Sequence, residues 1–313
     1  MINKKMIILL STYNGEKYIE EQLNSLFNQN TNVQIDILIR DDGSKDKTIS
    51  IINKIAKTHS NLTLIEGKNV GVNCSFFELL NQAGEYDYYA FCDQDDIWLD
   101  DKISVAVSMI MEKEQYYDGP VLYGGCSWLV DTDLNKFGVT VQQEREITPY
   151  NTIIHNFLPG HAQVFNRQLY LLLKNVQNIE NIYVYDAWVT NVAAIKGFII
   201  FDNEPHTLYR QHANNAVGFS GKTGFISWFI QRIKRIRNDE SISFSKQMKL
   251  FYDTYENEFD EDFKLELFKF FDMQKNIISR FAYITKTKFY RQSKVQTILY
   301  QLLYLFGGYN LDK

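Results

Sequence analysis

The chain has 313 residues, 45% hydrophobic and 23% charged, with 4 Pro and no low-complexity tract, which excludes a largely disordered protein and allows a sizeable core. Its net charge of −5 is uneven: acids outnumber bases up to residue 221, and bases outnumber acids beyond it. No run is long enough to span a bilayer, Met6–Ser11 is too short for a signal segment, and no pair among Cys74, Cys92 and Cys126 has metal-ligand spacing, so a cytoplasmic protein with structural thiols is expected.

Met6–Ser11 is an apolar run that reads as a buried first strand, ending in Ser11-Thr12-Tyr13-Asn14-Gly15. Tyr18, Ile19, Gln22, Leu23, Leu26 and Phe27 follow at helical spacing. Ile35–Ile39 predicts a second strand, then the turn Arg40-Asp41-Asp42-Gly43-Ser44-Lys45-Asp46 and a helix over roughly 46–58. Leu62–Ile65 predicts a third strand, Gly67-Lys68-Asn69-Val70-Gly71 a turn, and 73–82 a helix. Tyr86–Cys92 is a fourth strand, followed by Asp93-Gln94-Asp95-Asp96-Ile97-Trp98 and a helix with Ile103, Val107, Ile110 and Met111 on one face. This repetition is the grammar of a parallel sheet covered by helices, whose ligands bind at the carboxyl ends of the strands. No Gly-x-Gly-x-x-Gly and no Walker loop is present, which disfavours a dinucleotide or P-loop site.

Beyond these lie two short strands, Pro120–Tyr123 and Cys126–Val130, and a loop, Leu158-Pro159-Gly160-His161, running into a strand. A helix opens at Tyr185-Asp186-Ala187-Trp188, and Phe198–Phe201 is a further strand. Tyr209-Arg210-Gln211-His212 lies near the end of the acidic body. The boundary falls near 220, dividing a catalytic domain, 1–220, from a helical region, 221–313. Within the latter, 224–237 sets Phe225, Phe229, Ile233 and Ile236 against Arg232, Lys234, Arg235 and Arg237. That pattern fits either an interfacial membrane helix or a helix packed on the body. Ile298–Phe306 is too short to span a bilayer and reads as a packing helix.

Three acids at the end of a buried strand repel one another unless a cation joins them. A divalent ion on a phosphorylated ligand is the natural partner; a solvated turn is the plainer alternative. Asp41 and Asp42 sit where a carboxylate can accept the N3–H of uracil or thymine, and Gly43 permits close backbone approach. The alternative is an Asx turn capping the next helix. Thr12, Tyr13 and Asn14 can supply a stacking ring and short polar groups to a nucleoside, or simply form a strand-to-helix turn.

The motifs Ser11–Gly15, Arg40–Thr48, Asn69-Val70-Gly71 and Asp93–Leu99, in that order, resemble the inverting family 2 glycosyltransferases of the GT-A fold. Ile39-Arg40-Asp41-Asp42-Gly43-Ser44, Asp93-Gln94-Asp95-Asp96, Pro159-Gly160-His161 and Tyr209-Arg210-Gln211-His212 look most like bacterial rhamnosyltransferases that build cell-wall, capsular or O-antigen polysaccharide. The resemblance covers roughly residues 6–218. It implies an α/β fold with a mostly parallel sheet, a C-terminal helical appendage, and a nucleotide-sugar donor, dTDP-rhamnose first and a UDP-sugar next. It further implies Mg2+ or Mn2+, and a glycan or lipid-linked oligosaccharide acceptor at the cytoplasmic membrane face; no nucleic acid is expected. Asp95 is then the direct metal ligand, Asp93 reaches the ribose or the metal, His212 is a third ligand, and Asp186 is the general base. Asn69 joins the nucleotide pocket. Arg210 could pair with the diphosphate or brace the acids, His161 could meet the substrate or be structural, and Trp188 could stack on a sugar or sit in the core. Competing readings are a catalytically silent sugar-nucleotide or glycan-binding subunit and a nucleotidyltransferase; the latter would want a Gly-rich basic loop where Ser11–Gly15 and Glu16 stand.

Overall fold

The computed structural model describes residues 4–174, 176–212 and 240–310. The first half alternates β1 (Lys5–Thr12), α1 (Ile19–Phe27), β2 (Gln34–Asp41), α2 (Thr48–Ala56), β3 (Leu62–Glu66), α3 (Val72–Gln82) and β4 (Tyr88–Cys92). The short β5 (Ile97–Trp98) then leads into α4 (Lys102–Glu114). After β6 (Val121–Gly125), β7 (Trp128–Val130) and β8 (Lys136–Val139) come the short helix α5 (Pro149–Thr152), β9 (Val164–Asn166) and α6 (Arg167–Leu173). Next stand α7 (Tyr185–Lys196), β10 (Phe198–Asp202) and β11 (Thr207–Arg210).

One sheet has the order β10-β6-β9-β4-β1-β2-β3. β1 pairs in parallel with both β2 and β4, so the chain reverses its direction of travel at the edge between β1 and β4. That reversal opens a crevice at the carboxyl ends of the strands, where Thr12, Asp41 and Asp93 emerge. β4 is apolar throughout because both faces are covered: Tyr89 and Phe91 join one core, Tyr88, Ala90 and Cys92 the other.

β9 pairs antiparallel with β4 and β6, Val164 lying opposite Ala90 and Tyr123. The sequence predicts this strand but not its direction, because periodicity carries no sense. The direction matters: an antiparallel β9 brings the turn before it, Gly160–Ala162, to the carboxyl end of β4 beside the acids. A second sheet, β5-β11-β7-β8, which the sequence reading does not separate from the first, sets Arg210 on β11 over the same loop.

Four helices, α8 (Glu240–Tyr255), α9 (Glu261–Asp272), α10 (Ile277–Ile284) and α11 (Lys294–Leu305), end the described chain. They share the core of one face of the sheet: Phe251 meets Trp188 edge-on at 5.3 Å, and Phe263 meets Tyr150 at 5.2 Å. The expected boundary near 220 and the expected interfacial helix 224–237 lie outside the described residues. Cys74, Cys92 and Cys126 are free thiols. Among the described residues no helix is long and apolar enough to cross a membrane.

Candidate active site

The loop after β2 is organised by its own acids. Asp41 accepts from the amides of Gly43 (3.0 Å) and Ser44 (2.8 Å) and from the Ser44 hydroxyl, a closed Asx turn that occupies both oxygens. Gly43 takes φ +82°, and a Cβ there would meet the Asn69 amide at 3.1 Å, so the loop needs glycine for both conformation and space. Asp42 reaches the loop after β3, accepting from the amides of Val70 (2.8 Å) and Gly71 (2.9 Å) and from Arg40 (2.6 Å). Asp41 and Asp42 are thus principally loop-forming, although Oδ2 of Asp42 accepts only one of these bonds and keeps acceptor capacity. Asn69 is exposed on the loop that Asp42 holds.

At the end of β1, Thr12 donates to Gln94 Oε1 (2.6 Å), as does the Tyr13 amide (2.9 Å). The Tyr13 ring is 45% exposed at the mouth of the crevice. Asn14, at φ 49°, caps the start of the neighbouring loop by accepting from the Lys45 amide. Gln94, the residue inside the acidic motif to which the sequence reading gives no role, therefore ties the first strand to the fourth.

The three acids separate by environment. Asp96 is fully buried; its Oδ1 accepts from the Arg210 amide (3.1 Å), its Oδ2 has no hydrogen-bond partner among the described residues, and burial, with Asp95 and Asp93 beside it, raises its pKa well above the usual carboxylate range. Asp95 pairs with His212 (Oδ2 to Nε2, 2.7 Å); both side chains remain partly open to solvent, and burial together with Asp93 raises its pKa. His161 is buried, its Nε2 2.9 Å from the Ser127 hydroxyl and its Nδ1 3.7 and 3.6 Å from Asp93 and Asp96. Burial lowers its pKa, favouring the neutral ring. Asp93, Asp96 and His161 each present one ligand atom within 4.8 Å of the others, a group that can hold a cation. The expected set of Asp95, Asp93 and His212 is thus met as one pair, Asp95 with His212, while Asp93 clusters with Asp96 and His161. The clustered hard carboxylates of Asp93, Asp95 and Asp96 fit Mg2+ or Mn2+.

The positive charges are structural. Lys102, at the start of α4, is buried; it donates to the His161 carbonyl at 2.5 Å and lies 3.5 Å from the Trp98 ring centre. Burial pulls its pKa down to about 7. The sequence shows Lys102 only as an ordinary helix-start lysine. Arg210 spends its guanidinium on the Asp95 carbonyl (2.9 Å), the Thr132 carbonyl (2.7 Å) and Glu21 (2.6 Å). It is buried and braces the acidic loop through these three bonds.

Asp186 stands in the first turn of α7. Its Oδ2 accepts from the Gly160 amide (2.8 Å), and its Oδ1 from the Asn156 side chain (2.9 Å) and the Ala187 amide (2.8 Å). Burial pushes its pKa up to about 6 despite these bonds. Gln163 ties the turn to α7 by donating to the carbonyls of Leu158 (2.9 Å) and Asp186 (3.0 Å). Trp188, two residues on, takes the core position rather than the sugar-stacking one: it is buried on the opposite face against Phe251 and Tyr255.

Residues 7–172 match the family model "Glycosyl transferase family 2". The chain is 28% identical over 253 residues to the dTDP-rhamnosyl transferase RfbG of Shigella flexneri, covering 73% of this chain and 83% of that one. It is 24% identical over 254 residues to the GalNAc(5)-diNAcBac-PP-undecaprenol beta-1,3-glucosyltransferase of Campylobacter jejuni, 78% of each. Among solved structures, S. aureus TarS in complex with UDP matches with a TM-score of 0.57 at 17% identity, over 97% of this chain and 89% of that one. The mannosyltransferase PcManGT from Pyrobaculum calidifontis, in complex with GDP-Man and Mn2+, matches with a TM-score of 0.51 at 17% identity, over 98% and 86%. At these identities the structural likeness is one of fold, and it bears out the GT-A architecture.

Proposed function

Because this chain belongs to glycosyl transferase family 2, we propose that the sugar it transfers is L-rhamnose, from dTDP-rhamnose, onto a glycan acceptor carried on a lipid, in cell-wall, capsular or O-antigen polysaccharide synthesis. The dTDP-rhamnosyl transferase activity of the Shigella relative supports the donor, and the undecaprenol-linked acceptor of the Campylobacter relative supports the lipid carrier. UDP-sugars are the next donors. The observation that carries the reading is one turn serving two groups: Gly160 binds Asp186, and His161 faces Asp93 and Asp96.

In this reading the Tyr13 ring stacks on the base, and Oδ2 of Asp42 takes its N3–H. Thr12, Asn14 and the loop of Gly43 and Asn69 close the nucleoside pocket, and Asp93 meets the ribose. A bound divalent cation would supply charge neutralisation for the leaving diphosphate. Asp95 and His212, both partly open to solvent where Asp96 is fully buried, would hold that ion. Asp186 takes the proton of the acceptor hydroxyl as that oxygen bonds to the anomeric carbon and the bond to the diphosphate breaks, inverting configuration. A β-linked donor then yields an α-rhamnoside. The sequence pattern of 224–237 supports a peripheral membrane contact there on the cytoplasmic face.

Calorimetry with dTDP, UDP, GDP and ADP in Mn2+ tests the donor. Binding of dTDP or UDP well ahead of both purine nucleotides is expected, and a purine preference overturns the assignment. Transfer from dTDP-rhamnose, followed by NMR of the product, tests sugar and stereochemistry.

A further inference from the structure

The last two described helices lie side by side. Arg280 on α10 donates to the Leu305 carbonyl on α11 at 3.1 Å, and Tyr283 and Tyr304 meet ring to ring at 4.4 Å on the inner side. Their inner residues, Tyr283, Tyr300 and Tyr304, are buried in the core. The opposite face is also apolar. Ile278 (79% exposed) and Phe281 (59%) stand on α10; Val295, Ile298 and Leu302 recur at helical spacing along α11, and Phe306 (69%) caps it at the same spacing. Helical residues that pack nothing are normally polar. Six exposed apolar side chains on two adjacent helices whose inner residues are already buried mark an interaction surface among the described residues.

Charge identifies the occupant. From Met273 to Leu311 the chain has no Asp or Glu, while Lys275, Arg280, Lys286, Lys288, Arg291 and Lys294 all fall there. Lys275 and Lys288 reach Asp272 and Asp262 at the margin, and Lys286 and Lys294 are exposed. A second copy of this face would bring like charge against like charge. The segment 222–237 is itself basic, with Arg232, Lys234, Arg235 and Arg237, and brings no net negative charge to this face. A surface both apolar and anionic satisfies stripe and charge together. We propose that the outer face of α10 and α11 docks on an anionic lipid bilayer, Ile278, Phe281, Ile298 and Phe306 entering the headgroup boundary and Lys286 and Lys294 meeting acidic headgroups. This surface is distinct from 224–237 and does not depend on which sugar is transferred.

The test is co-sedimentation of the full chain with vesicles of phosphatidylcholine and phosphatidylglycerol in a three-to-one ratio, against pure phosphatidylcholine. The wild type should bind the anionic vesicles and release as salt rises. The quadruple variant Ile278→Ser, Phe281→Ser, Ile298→Ser, Phe306→Ser, checked for an unchanged melting temperature, should lose binding by about tenfold or more. Lys286→Gln with Lys294→Gln should weaken it about 25-fold, at about fivefold for each charge near the surface. Substitution of Arg232, Lys234, Arg235 and Arg237 by Gln should leave part of the binding that the stripe variant removes. No preference for anionic vesicles overturns the proposal, as does unchanged binding of the stripe variant. Loss of all binding in the 232–237 variant alone, or self-association in ultracentrifugation that only the stripe variant abolishes, equally overturns it. None of these readouts involves sugar transfer, so this proposal and the donor assignment fail separately.

Discussion

The Gly160 amide donates to Oδ2 of Asp186 at 2.8 Å, and it comes from the turn whose next residue, His161, faces the acidic loop. The bond orients one carboxylate oxygen without supplying a proton-accepting partner. It leaves Asp186 held at three points, buried, and more basic than a solvated aspartate. That combination, position fixed and basicity raised, is what a general base requires.

Asp186→Asn keeps the size and most of the hydrogen-bond capacity but removes the basic oxygen. Transfer should fall ~10²–10⁴-fold with donor affinity unchanged. The pKa is raised from 3.8 in the unfolded chain to about 6 in the fold, so ionising this carboxyl destabilises the fold as pH rises through that window. Relative to the wild type, the variant should therefore gain up to on the order of 3 kcal/mol as pH rises from about 4 to about 8, against a pH-independent loss because one of the three donors to Asp186 no longer meets an acceptor. Urea unfolding measures this. Near wild-type turnover would reduce Asp186 to a helix-start residue.

Because the base works as the carboxylate, kcat/KM should fall about tenfold per pH unit below about 6 and level off above it. The Asn156 amide stabilises the charged form, so Asn156→Leu should move this acid limb to higher pH. A limb that does not move would assign it to another group.

Removing a ligand that faces the crevice should separate Asp95 from Asp96. Asp95→Asn should weaken Mn2+ binding, followed by calorimetry in the presence of dTDP, by tenfold or more, on the order of what a lost charge-assisted contact is worth. Asp96→Asn, buried under the Arg210 amide, should alter that affinity far less. The reverse ranking would place the ion in the Asp93, Asp96 and His161 group.

Lys102→Met removes the buried cation beside Asp96 and the donor to the His161 carbonyl. Leaving the buried His161 carbonyl without this donor costs about 1–3 kcal/mol. Urea unfolding should show a loss of that order, and Asp96→Asn in the same chain should restore part of it, since the uncompensated acid is then gone. Equal losses in the single and double variants would mean that Lys102 acts through packing alone.

Much of this molecule is legible along the chain because the relevant forces are local. Alternating apolar runs and turns determine β1 to β4 and the helices between them, and polar residues crowded at strand ends determine where the crevice lies. The Asx turn of Asp41 and the positive φ of Gly43 are written in neighbouring residues. What the chain order leaves open is decided by contacts far apart in sequence. His212 chooses Asp95, and Lys102 chooses the His161 carbonyl, only because β11 and β9 deliver them there. The direction of β9, the burial of Trp188 and the bracing bonds of Arg210 follow the same rule. Periodicity says that a residue is buried or exposed; which partner satisfies its charge depends on strands that meet across a hundred residues, and only packing brings them together.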